Sequence, residues 1–303
     1  MICMHDVEFA KSGLFDSRDP VLERLLAEKG QVQHYSTDIS DELWEYVAPK
    51  VAFYVRTRGG GLPQTPLRNM FNGILYRHKT GCQWGLLPKD FGPKSSVHAF
   101  YQALNKRGTM EDILTHIAKE YDKKDGYDYE WQSMDGTLVQ APARTPMVAE
   151  EGFGKNPTDR GRKGTKIHPQ CDANGIPISV VVTGANVHDS KCPEKNLSNS
   201  FVNSSSEEEG STTTNMCMDK AYDSKEMEAM LKKHGYNPHI RSRGEEIQEK
   251  TEFPPRRWVV ERLMAWLKGF RSIRTRYTCK LRNFMGDVQL ACMFIIWRRL
   301  ATI

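Results

Sequence analysis

No apolar run in this sequence approaches the roughly 20 residues that a membrane-spanning helix needs. The longest candidate, Ala291–Trp297, is closed by Arg298 and Arg299. The first residues mix His5, Asp6 and Glu8 into apolar positions, unlike a secretory leader. The expectation is a cytosolic protein with no membrane partner. Cysteine pairs of the Cys-x-x-Cys kind are also missing. The seven cysteines (Cys3, Cys82, Cys171, Cys192, Cys217, Cys279 and Cys292) are odd in number and irregularly spaced. That argues against a disulfide framework or a zinc site and leaves reduced thiols. Hydrophobic residues are 39% and charged residues 27%, so wholesale disorder is excluded. The 303 residues suffice for one large domain or two of ordinary size.

What is present is unevenly placed. The net charge is +5, but from Arg256 to Ile303 eleven Lys or Arg face only Glu261 and Asp287, a local charge of +9. The other 255 residues carry −4. A concentrated basic segment beside a folded domain points to a polyanion, most often nucleic acid; the plainer alternative is a solvated basic surface.

Residues 1–35 are uninformative beyond a short amphipathic helix after Pro20. Residues 36–125 read as a helical domain. One helix starts after Asp38 or Ser40. Gly59–Gly61 breaks the chain. Leu67–Lys79 carries apolar residues at helical spacing and stops at Gly81. Ser95-Ser96 can cap a fourth helix that ends at Gly108, and Met110–Tyr121 is a fifth. Residues 126–303 change texture. Glu130–Val139 reads as a strand. Lys166–Cys171 and Ile176–Thr183 flank Asn174-Gly175, a type I′ hairpin signal. Ser198–Asn215, Ser/Thr/Asn-rich with Glu207–Glu209 inside, reads as a mobile loop. Met216–Met218, Ser224–His234 and Tyr236–Arg241 give strand, helix, strand, and Arg256–Phe270 is the best helix. The fold class is α/β, preceded by a helical domain.

Three acids stand at element edges in the second half: Asp135 within the first strand, Asp219 ending the Met216–Met218 strand, and Glu261 on the basic helix. A carboxylate in an apolar strand is costly unless paired or bound to a cation. Three that converge would make a hard oxygen site suited to Mg²⁺. Each alone is equally at home as a capping or turn residue. On a wheel of about 100° per residue, Arg257 lies about −40° and Lys268 about −20° from Glu261. Val259, Leu263, Trp266 and Phe270 lie at about 140–200°, which marks them as the packed face. The stripe fits either an exposed Arg–Glu pair or a metal ligand between phosphate-binding cations; spacing does not choose between them.

Arg257-x3-Glu261-x6-Lys268 resembles the third-acid signature of DDE transposases in the insertion-sequence four and five groups. Asp219-Lys220-Ala221-Tyr222-Asp223-Ser224 resembles the segment with the second acid, and Met134-Asp135-Gly136-Thr137 the strand with the first. Asn156–His168 and Ala185–Ser190 are similar to further stretches of the same group, as is the helical segment Asn72–Tyr76 with Gly81, Cys82, Trp84 and Pro88. Pro254 stands where the family often has Tyr, and Ala221 where Gly is common. Residues 1–35 and 198–214 match nothing in it.

The resemblance implies a ribonuclease H-like catalytic domain, a mixed sheet whose first three strands are antiparallel, flanked by helices. It implies catalytic, metal-holding roles for Asp135, Asp219 and Glu261, with Mg²⁺ (two ions, Mn²⁺ as a substitute) as cofactor. Arg257 and Lys268 would hold backbone phosphates, and Arg160, Lys163 and Lys166 would also bind DNA. The implied reaction cleaves double-stranded DNA at terminal inverted repeats and joins the 3′-OH ends to target DNA. The helical domain would recognise the repeats. Two DNA ends imply a homodimer or higher oligomer, at the nucleoid of a prokaryotic cytoplasm. The alternatives are a plain nuclease of the same fold and a non-catalytic DNA-binding protein derived from a transposase. The remaining arginines of the basic segment, Arg274 and Arg276 among them, are expected to track phosphates without reading bases.

Overall fold

The computed structural model describes residues 20–27, 35–55, 65–124, 126–146, 148–202, 214–240 and 257–302. The expected Gly59–Gly61 break, the acidic run 207–209, and Arg241, Pro254 and Arg256 lie outside the described residues. The chain divides into two compact units, 1–113 and 114–303.

The first unit is helical. It holds α1 (Pro20–Leu26), α2 (Asp41–Val51), α3 (Leu67–Thr80), α4 (Lys94–Arg107) and the start of α5 (Thr109–Lys124). Ser40 caps α2, its hydroxyl accepting the Leu43 amide at 3.3 Å, and Asp41 and Glu42 occupy the first turn where the helix dipole favours acids. α3 and α4 end on Gly81 and Gly108 at φ 70° and 81°, the left-handed conformation that only glycine adopts freely. α4 starts at Lys94, directly behind Pro93, so Ser95 and Ser96 lie in its first turn instead of capping it. Proline at φ −60° is already set for a helix, which moves the start forward. Trp44, Phe71, Ile74, Phe100 and Leu104 are fully buried; each contributes about 1.5–3 kcal/mol of apolar burial. The buried Arg68 ties α3 to the start of α2 through Asp41 at 2.6 Å and the Ile39 carbonyl at 2.9 Å.

The second unit contains one mixed sheet. Its strands are β1 (Trp131–Met134), β2 (Thr137–Gln140), β3 (Gly154–Lys155), β4 (Lys163–Cys171), β5 (Pro177–Gly184), β6 (Thr214–Met218) and β7 (Tyr236–Ile240). β5 pairs antiparallel with β4, and β4 antiparallel with β1 and β2. β6 then pairs parallel with β1, and β7 parallel with β6. The helices are α6 (Pro193–Ser198), α7 (Lys225–Lys233), α8 (Trp258–Lys268), α9 (Arg271–Arg274) and α10 (Leu281–Leu300). α7 is the crossover between the parallel strands β6 and β7, and Ser224 caps it through the Met227 amide at 3.1 Å. α8 packs on β1 and β4, and α10 on β5 and α8. The antiparallel run of β1 with β2, then β4, then β5, followed by the parallel strands β6 and β7, with helices packed on the sheet, makes this unit ribonuclease H-like.

Three local expectations change. The single strand read over Glu130–Val139 is two strands, broken at Asp135-Gly136. β1 pairs with both β4 and β6, whereas β2 pairs with β4 alone, so Asp135 sits in the break and not inside a strand. The Asn174-Gly175 turn is not type I′, because Gly175 is at φ 80° while Asn174 is not in the left-handed region. Asp172 builds the turn instead: its carboxylate accepts the Asn174 and Ile176 amides at 3.0 and 2.7 Å, an Asx arrangement that overrides the Asn-Gly preference. The basic helix ends at Lys268, and Phe270 precedes the separate turn of α9. Among the described residues no helix is long and apolar enough to cross a membrane.

Candidate active site

Asp135 and Asp219 each lie two residues beyond Ser133 and Cys217, which are partners in the parallel β1–β6 ladder. The sheet therefore carries both acids to the same end of adjacent strands. α8, packed on β1, brings Glu261 in its first turn. Arg257 joins two of the three: its Nη1 donates to Asp219 Oδ1 at 2.7 Å and its Nη2 pairs with Glu261 Oε1 at 2.9 Å. Burial pulls this guanidinium's pKa down, but the two carboxylates more than offset it and the net direction is up.

Asp135 is more enclosed. Burial pushes its carboxyl up to about 6; the Gly136 amide, donating at 2.7 Å, pulls down, and Asp219 pushes up again. A half-buried acid facing another acid is a place where positive charge is favoured, and Arg257 supplies it here. An all-carboxylate donor set of this kind fits a hard divalent cation. Among the described residues, however, no three His, Cys, Asp or Glu side chains are grouped tightly enough to hold a metal, and Arg257 engages both Asp219 and Glu261.

The stripe on α8 behaves as the wheel predicts on its polar side. Lys268 Nζ donates to Thr137 Oγ1 at 2.6 Å, two residues past Asp135, and partial burial lowers its pKa. The apolar side needs correction. Val259, Leu263 and Phe270 are buried, with Val260, Met264 and Leu267, but Trp266 is 41% exposed. Trp258, Arg262 and Trp266 form a ridge of their own, with the Arg262 guanidinium 4.9 and 5.1 Å from the two ring centroids. Arg262 also donates to the Asn174 carbonyl in the β4–β5 turn at 2.5 Å, which holds it against the sheet.

The other cations expected at DNA differ in what they touch. Arg160 is exposed, at φ 50°. Lys163 donates to the Ala143 carbonyl at 3.0 Å and also to that of Thr145. Lys166 turns inward, to the Val187 carbonyl and Asp189 Oδ1, both at 2.9 Å. Arg276 is fully buried, which overturns its expected role as a phosphate contact. Its guanidinium donates to the carbonyls of Glu151, Gly152, Thr278 and Cys279 and lies 3.8 Å over the Phe153 ring. Burial lowers its pKa to about 10. A cation enclosed by four carbonyls and aromatic rings is a structural post that no phosphate reaches. Arg271, Arg274 and Arg282 are exposed.

One residue beside Asp135 lies in the Ala185–Ser190 stretch that resembles the family, but received no role from the sequence. Asp189, in the turn after β5, seats its Oδ1 beside Gly136, where an added Cβ would lie 2.7 Å from it. In the same turn His188 accepts the Ser190 amide at 3.3 Å. Only the long-range pairing of β4 with β1 and β5 puts the neighbouring acid into the site.

The family described as "Transposase DDE domain" matches residues 127–296, and the one described as "Putative transposase of IS4/5 family" matches residues 39–114. The chain is 33% identical over 156 residues to the "Putative transposase for insertion sequence element IS402" of Burkholderia cepacia, covering 48% of this chain and 69% of that protein. Among solved structures it is similar to a piggyBac transposase synaptic complex with hairpin DNA, at a TM-score of 0.38 and 10% identity, covering 99% of this chain and 67% of that one. It is also similar to a pre-cleavage Mos1 transpososome, at 0.27 and 12%, covering 94% and 93%. Those two likenesses are too distant to bear on the assignment. Two transposase families matched over residues 39–114 and 127–296 define a DNA-processing enzyme class. Within that class, the chain belongs to the DDE transposases of the IS4/IS5 type.

Proposed function

We propose that this transposase binds the terminal inverted repeats of an insertion sequence, hydrolyses a phosphodiester at each end and joins the freed 3′-OH to target DNA. The observation that carries this reading is the Asp219–Arg257–Glu261 bridge, which makes neighbours of residues from β6 and α8, with Asp135 close enough to feel the charge of Asp219. Asp135, Asp219 and Glu261 would hold the divalent cation, Mg²⁺ with Mn²⁺ as a substitute. When bound, such a cation polarises phosphoryl oxygens and makes water a stronger nucleophile at neutral pH.

The protein's own residues account for the rest. Arg257 carries the charge that the acids need in the free enzyme. In the DNA complex its planar, bidentate guanidinium suits a phosphate equally well, so a phosphate that draws it away leaves Asp219 and Glu261 open to the cation. Lys268, anchored on Thr137, holds a second backbone phosphate beside Asp135. Exposed Arg160, Arg271, Arg274 and Arg282 extend the phosphate track. The helical unit recognises the repeats, and two ends held together require a homodimer or larger assembly on DNA, at the prokaryotic nucleoid. The test is incubation of the purified chain with DNA bearing the element's terminal repeats, with and without Mg²⁺. Mg²⁺-dependent nicks at the repeat ends are expected, followed by joined products. Nicks without joining would make it a plain nuclease, and binding without nicks a non-catalytic DNA-binding protein.

A further inference from the structure

We infer that Asp189 is a fourth carboxylate of the centre, a positioning residue that orders the solvent shell of the divalent cation held by Asp135. This rests on the metal reading above and extends it to the β4–β5 side of the site. β1 lies between β4 and β6, so Asp135 has Asp219 on one flank and the β4 side chains on the other.

On that second flank, Asp189 Oδ1 is fixed by Lys166 Nζ at 2.9 Å and lies 3.8 Å from His168 Nδ1. It is seated on Gly136, whose absent side chain makes the room: a Cβ there would lie 2.7 Å from Asp189 Oδ1 and 3.0 Å from His168 Nδ1. Among the described residues, two further buried groups of this region have no hydrogen-bond partner. His168 is fully buried and its Nδ1 is unbonded, although Nε2 meets Thr183 Oγ1 at 2.9 Å. Tyr222 is 1% exposed and its hydroxyl is unbonded, in the field of both Asp135 and Asp189. Buried polar groups are rarely left unpaired, and a ring nitrogen and a phenol beside two carboxylates suit ordered water. Water there could accept from Tyr222, bond the imidazole and donate to Asp189. Partners of this outer kind orient a metal site without touching the metal.

The test uses Mn²⁺ and the full chain bound to terminal-repeat DNA, with the signal of the same DNA alone subtracted, because Arg257 covers Asp219 and Glu261 in the free protein. Mn²⁺ affinity is read by electron paramagnetic resonance, and folding is followed by circular dichroism. Asp189→Asn keeps the shape and the acceptor for Lys166 but removes the charge. It should raise the Mn²⁺ dissociation constant about 10–100-fold. It should also slow cleavage at low Mn²⁺ with recovery at saturating Mn²⁺, a split that a purely structural role does not give. Lys166→Gln, which frees Asp189 from its clamp, should shift the affinity the same way, and it decides the matter should Asp189→Asn fail to fold. Wild-type affinity in the folded variant, with binding lost in Asp135→Asn, overturns the role of Asp189 and leaves the metal reading standing. Equal affinity in wild type and Asp135→Asn overturns both.

Discussion

Asp135→Asn should make the metal-free protein more stable while destroying its activity. Asparagine keeps the size of the side chain and an acceptor for the Gly136 amide, and removes a charge that is enclosed and faces Asp219. Burial and Asp219 raise the folded-state carboxyl from 3.8 to about 6. The sign follows from proton linkage. The folded state binds this proton more tightly than the unfolded chain does, so the wild type carries no penalty below about pH 4 and the full penalty above about pH 6. A shift of about two units at about 1.4 kcal/mol each sets an upper value of about 3 kcal/mol; partial solvent screening lowers it to about 1–2 kcal/mol. For a unit of this size that is a rise of about 3–6 °C in the unfolding midpoint. The assay is thermal unfolding from pH 4 to pH 8 in a chelator. The gain should be absent near pH 4, grow as the pH rises and reach its full size above about pH 6. With terminal-repeat DNA bound, excess Mg²⁺ should stabilise the wild type and leave the variant unmoved. Equal or lower stability of Asp135→Asn at pH 8 would refute the electrostatic strain assigned to this site.

Asp219→Asn should lower cleavage by about 10³-fold or more, since it removes a metal-holding oxygen, while gel-shift affinity for the terminal repeats stays within a few-fold of wild type. Arg276→Met leaves four carbonyls without their donor and should cost about 3–5 kcal/mol in chemical denaturation, with no change in the salt dependence of DNA binding in whatever fraction folds. Arg271→Ala with Arg274→Ala should do the reverse, leaving stability alone and reducing the salt slope by roughly 0.9 for each phosphate that the variant no longer neutralises. An unchanged slope there would make the basic segment a solvated surface.

Much of this was legible in the sequence because the signals were local. The apolar periodicity of Leu67–Lys79, the glycine stops at Gly81 and Gly108 and the helix read over Ser224–His234 each rest on signals within a few residues. The stripe of Arg257, Glu261 and Lys268 was readable because helix geometry fixes it. What escaped depends on neighbours distant in sequence. β1 breaks at Asp135 because its pairing with β6, more than 80 residues away, ends there. Arg276 belongs to a basic run by composition, yet Gly152 and Thr165 enclose it from over 100 residues away. Trp266 is apolar and at packed spacing, but Arg262 stacks against it and holds the ridge outward. Asp189 looks like a turn residue until the β4–β5 hairpin brings it to Gly136.

The measurement that tests the central claim most directly is Mg²⁺-dependent cleavage of terminal-repeat DNA by Glu261→Gln. Glu261 is the most exposed of the three acids, at 52%, and its partner within the protein is Arg257, so its replacement leaves the core untouched. The account predicts a folded, DNA-binding protein that does not cut. Cleavage by Glu261→Gln at the wild-type rate would contradict it and remove the third acid from the catalytic centre.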